Sequence, residues 1–68
     1  MELSETQEIL VKELLNQGTS ESMIQYILEM LYTEEKVKEM NKYLIDNHNQ
    51  KLTQNQIVSM ANKIEHKS

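Results

Sequence analysis

Ser4-Glu5-Thr6-Gln7-Glu8-Ile9-Leu10-Val11-Lys12-Glu13-Leu14-Leu15-Asn16-Gln17-Gly18-Thr19-Ser20 spells out one helix from its start to its stop. Ser4 and Gln7 are three residues apart, the spacing of a capping box. The Ser4 hydroxyl accepts the Gln7 amide, and the Gln7 side chain returns to the Ser4 backbone. Glu5 and Glu8 lie in the first turn, where the helix dipole favours negative charge. Leu3, Leu10 and Leu14, with Ile9, Val11 and Leu15, form a broad apolar stripe. Gly18, the chain's single glycine, stands where a left-handed residue stops a helix. The spacing predicts a helix over 5–17 and an immediate restart after Thr19 or Ser20.

The same signals recur downstream. The second helix is expected over 20–32, with Ile24, Ile27, Leu28 and Leu31 as its core stripe. Met23, Tyr26, Met30 and Tyr32 widen that stripe around most of the circumference, more than an ordinary surface helix shows. Thr33 as N-cap, Glu34 and Glu35 in the first turn and a Tyr32–Val37 staple announce a third helix over 34–47. Its stripe is Val37, Met40 and Leu44, with Tyr43 and Ile45 beside it. Residues 47–56 hold six side-chain amides in ten positions and read as a connector. Thr53 with Gln56, and Leu52 with Ile57, then open a fourth helix over 54–66, which carries Ile57, Val58, Met60, Ala61 and Ile64. Residues 66–68 are expected to fray.

Four short amphipathic helices make an all-α chain of one domain over 1–68, either a compact four-helix bundle or an orthogonal array. Composition agrees. The 68 residues contain no Pro, Trp, Phe or Cys. Disulfides and thiolate metal sites are thereby excluded. No apolar run reaches the ~20 residues that span a bilayer, and no basic-then-apolar leader opens the chain, so the expected location is cytoplasmic. All seven basic residues are lysine. No guanidinium fork is present to read guanine or clamp phosphate. The lysine, isoleucine and asparagine usage points to an AT-rich source, bacterial or phage.

Charge divides unevenly. Residues 1–35 carry one lysine against eight glutamates, a net of −7, while residues 36–68 carry six lysines against three acids, a net of +3. The halves either pack on each other or present a charged face to a partner. A chain this short buries about 60% of its unfolded surface. Without disulfide or metal, self-association is an available source of further stability.

Chemistry-bearing groups are few. His48 lies in the polar connector near Asp46, and His66 in the tail beside Glu65. Neighbouring side chains on a helix do not converge on a metal, so no catalytic residue, cofactor, metal or small-molecule substrate is assigned. Leu14 to Ile24, continued by Leu28, looks like the first half of a helix-turn-helix. Thr33 to Val37 would then open a reading helix, with Lys36, Lys38, Lys42 and Lys51 on phosphates. That alternative meets two leading glutamates, which phosphates repel, and a link that is about two residues too long.

Leu3-Ser4, Gln7, Leu10, Leu14-Leu15, Gly18, Ser20 and Leu28 resemble, at the same spacings, the N-terminal dimerisation domain of hepatocyte nuclear factor 1-type transcription factors. The likeness covers under half of the chain, and its third and fourth helices have no counterpart there. The resemblance implies that a helix, a glycine turn and a second helix of this pattern can build a four-helix bundle from two copies.

The methionines Met23, Met30, Met40 and Met60 lie on or beside the stripes, as core filling or as an adaptable surface. The expectation that follows is a non-enzymatic protein–protein interaction module, a small regulatory or accessory protein. It would act as a homodimer through helix 2 by way of Met23, Tyr26, Ile27 and Met30. A helix-turn-helix-like DNA-binding regulator is the alternative.

Overall fold

The computed structural model describes residues 2–67. Four helices follow in order: α1 (Glu5–Asn16), α2 (Glu21–Met30), α3 (Glu34–Asp46) and α4 (Gln54–Glu65). The described residues contain no strand. Each helix starts as its cap dictates: Ser4, Ser20, Thr33 and Thr53 all accept the amide three residues on. Ser4–Gln7 and Thr53–Gln56 complete reciprocal capping boxes. Gly18 takes φ +75°. It closes α1 in a Schellman turn: Thr19 N donates to Leu14 O at 3.0 Å and Gly18 N to Leu15 O at 2.9 Å.

Contacts at the helix ends set their relative sense. Thr6, in the first turn of α1, donates from Oγ1 to Glu34 Oε1 at 3.2 Å, and its carbonyl accepts Asn41 Nδ2 at 3.0 Å. Gln17, at the other end of α1, meets Gln50 just beyond α3. So α1 and α3 run in the same general sense. Helix α4 starts against Gln17, where Gln54 Nε2 donates to Gln17 O at 3.2 Å, and ends against α3, where Lys36 Nζ donates to Glu65 O at 2.8 Å. It therefore runs opposite to both. Helix α2 bridges the end of α1 and the start of α3, so it runs back as well. The closely packed pairs are α1–α3, α3–α4, α4–α2 and α2–α1, a closed ring around one core. The globule measures 26 × 26 × 20 Å.

The core is Leu10 and Leu14; Ile24, Ile27, Met30 and Leu31; Val37, Met40 and Leu44; Leu52; and Ile57, Ala61 and Ile64. It is narrower than the expected stripes. In α1 only Leu10 and Leu14 are buried, whereas Leu3, Ile9 and Leu15 are exposed. Helix α2 stops two residues before the expected Tyr32. Leu31 leaves the helix at φ −97°, ψ 79° yet remains fully buried. The 24-27-31 spacing fits a helix whether or not its last member belongs to it, so periodicity placed that end too late. The staple expected from Tyr32 also fails on one side. Val37 is buried, but Tyr32 is 72% exposed, its ring under Lys36 Nζ, 4.6 Å from the centroid. The other three helices end one residue before the expected bounds, within the ordinary uncertainty of a fraying terminus.

The connector is more than a spacer. Gln17 is buried, and its side-chain amide donates to Gln50 O at 3.1 Å and accepts Leu52 N at 2.9 Å. It thereby pairs with that backbone much as another main-chain segment would.

Candidate interaction surface

On α2, the residues Met23, Tyr26 and Met30 fall at i, i+3 and i+7, along one edge of the stripe that Ile24, Ile27 and Leu31 send inward. The four side chains singled out for an interface separate sharply. Ile27 is 0% exposed and Met30 7% exposed. They belong to the core, because α2 is enclosed on two sides by α1 and α4. Met23 is half-buried, and Tyr26 is 51% exposed. The candidate surface thus shrinks from a whole helix face to the Met23–Tyr26 edge. Ile27 is withdrawn from it, and Met30 serves as its floor.

Of the apolar residues that carry the dimerisation likeness, Leu10 and Leu14 are buried in the chain's own core, whereas Leu3 and Leu15 are exposed. No family model, curated protein or solved structure matches the chain.

The lysines of the alternative reading are scattered. Lys36 is half-buried between the Tyr32 ring and the Glu65 carbonyl at the end of α4, so its charge is occupied in holding that helix end. Lys38, Lys42 and Lys51 are exposed. The two helices that would form the motif, α2 and α3, are not a closely packed pair. A helix-turn-helix requires its second helix to be braced on its first, and here α3 is braced on α1. The charge contrast also softens in three dimensions. Glu34 and Glu35 belong to α3, so residues 34–67 carry six lysines against five acids. Residues 2–30, which supply the α1–α2 side, carry six glutamates against one lysine.

The two histidines lie at helix ends. His48 Nδ1 donates to Ile45 O at 3.1 Å, capping the end of α3, and exposed His66 lies 3.9 Å from Glu65. Among the described residues no three His, Asp or Glu side chains gather as a metal group, and no helix is long and apolar enough to cross a membrane.

A feature that the sequence did not flag lies between α3 and α4. Two adjoining depressions share the half-buried side chains of Tyr43 and Met60. In the sequence Tyr43 flanks the stripe of the third helix and Met60 belongs to that of the fourth. Only the antiparallel pairing of those helices makes their edges one groove.

Proposed function

We propose that this chain is a non-enzymatic protein–protein interaction module, a small regulatory or accessory protein that acts as a homodimer through the outer edge of α2. The observation that carries this reading is Tyr26, 51% exposed on the flank of a helix whose adjoining Met23 and Met30 are apolar. A tyrosine offers a large, stiff contact area with a polar tip, the profile of an interface anchor. In a two-fold pairing each Tyr26 edge meets its own copy.

A standard interface covers about 800 Å² per partner, against a total surface of 4899 Å² for this chain. The Met23–Tyr26 edge is only two side chains, so a weak, reversible association is expected, no tighter than micromolar (~−8 kcal/mol). Sedimentation equilibrium over a wide concentration range tests it, with Met23→Gln/Tyr26→Ser as the paired variant. A reversible dimer that the variant weakens while leaving helicity unchanged is the expected result. A strict monomer at high concentration, or a dimer indifferent to the variant, would overturn the reading.

A further inference from the structure

We infer that the groove between α3 and α4 is a second docking site, built for an acidic amphipathic helix of a partner protein. It lies away from the α2 edge and does not depend on self-association there. Its floor is Tyr43 and Met60, both half-buried and packed against the core. Its walls bring Lys42 of α3 together with Lys63 and Lys67 on the α4 side.

Two acids share the walls, Glu39 and Asp46. Glu39 is already paired with Lys67 at 3.3 Å. Among the described residues neither Lys42 nor Lys63 makes an ion pair. The groove therefore sets three lysines against two acids, a net of +1, on a chain whose net charge is −4. That local reversal of sign is the argument for an acidic occupant.

Its form follows from the walls. The described residues contain no strand, and hence no sheet edge to extend. Two antiparallel helices leave a trough that a third helix fills at the usual interaxial spacing. The lining runs from Asn55 to Lys67, about 18 Å at 1.5 Å per residue, or roughly three helical turns. Apolar residues at i, i+3 and i+7 of the occupant would rest on Tyr43 and Met60, with the methionine adjusting to fit. Its glutamates would meet Lys42 and Lys63. The chain's own α1 has an outer face of Glu5, Glu8, Ile9 and Lys12, so a second copy has partly similar chemistry. Head-to-tail seating of copies, however, makes open chains rather than closed assemblies.

The test is selection from a displayed library of helical twelve-residue peptides. The apolar positions are kept constant, and the others vary among Glu, Gln and Lys. The expected result is enrichment of Glu-rich members, with NMR shifts at Tyr43 and Met60 but not at Tyr26. Lys42→Glu/Lys63→Glu should invert the preference toward Lys, and the original winners should bind roughly tenfold more weakly at low salt. Lys42→Gln/Lys63→Gln should erase the preference rather than invert it, which guards against a variant that fails to fold. No enrichment, enrichment without charge preference, or a preference that survives both variants would overturn the proposal. Concentration-dependent shifts at Tyr43 and Met60 without peptide would assign the groove to a second copy and overturn it equally. Loss of self-association at α2 would leave these outcomes unchanged, so the two readings fail separately.

Discussion

The backbone N–H of Leu52 donates to Gln17 Oε1 across 2.9 Å, joining the end of α1 to the entry of α4. The Gln17 side-chain Nε2 donates to Gln50 O, and the Gln17 carbonyl accepts Gln54 Nε2. One buried glutamine thus satisfies a connector that would otherwise bury unpaired main-chain groups. Gln17→Ala should cost about 2 kcal/mol, because it strands the Leu52 N–H. Urea unfolding measures it, and a midpoint equal to that of the parent chain would contradict the role. Gln17→Glu should recover only part of the loss, since a carboxylate accepts from Leu52 but cannot donate to Gln50.

Gly18 separates steric from conformational cost. A Cβ at this position would meet nothing within 4 Å, yet φ is +75°. Gly18→Ala should therefore destabilise by roughly 1 kcal/mol through backbone strain alone, a fall of about 4–8 °C in Tm for a domain of this size. Gly18→Asn should lose less, because asparagine tolerates the left-handed region. Equal melting of the two variants would count against this account.

Lys36 couples two elements. Its ammonium donates to Glu65 O at 2.8 Å and lies over the Tyr32 ring. Lys36→Met keeps most of the aliphatic stem and removes the charge. It should lower stability by about 1–2 kcal/mol and accelerate amide exchange in the last turn of α4. A double-mutant cycle with Tyr32→Leu should give a coupling near 0.5 kcal/mol from the cation–π contact. A coupling of zero would show the ring to be a bystander.

Asn41 is buried with Nδ2 bonded to Thr6 O, but its Oδ1 has no hydrogen-bond partner among the described residues. Thr6 O sits in the first turn of α1 and keeps its helical acceptor role without Asn41. Asn41→Leu removes the buried oxygen while keeping the number of side-chain heavy atoms, and should stabilise by about 1 kcal/mol where the core gives room for the larger methyls. A lower Tm for this variant would mean that the Asn41–Thr6 bond matters more than the orphan oxygen.

Ile27 and Tyr26 are adjacent in sequence and opposite in consequence. Ile27→Ala should cost about 3 kcal/mol as a cavity in a closed core, whereas Tyr26→Ala should change monomer stability by under about 0.5 kcal/mol. Chemical denaturation of the two variants ranks them. Similar losses would place Tyr26 in the core and remove the α2 edge as a free surface.

The sequence by itself determined the all-α class, the four helices and, to within one residue, the position of each start. These are local matters: a hydroxyl three residues before an amide, or a glycine free to take positive φ, acts within one turn of chain. It did not determine where α2 ends, because Leu31 keeps the stripe whether or not it is helical. Nor did it separate Ile27 and Met30 from Tyr26, since a wide stripe looks the same when neighbours close over most of it or none of it. Tertiary structure alone decided that α3 and α4 cover the core faces of α1 and α2. It alone assigned Lys36 to the end of α4 and Gln17 to the connector, and made one groove of Tyr43 and Met60. Each of these joins residues 17 or more positions apart, and a helix records in its own spacing which side is apolar but not which partner covers it.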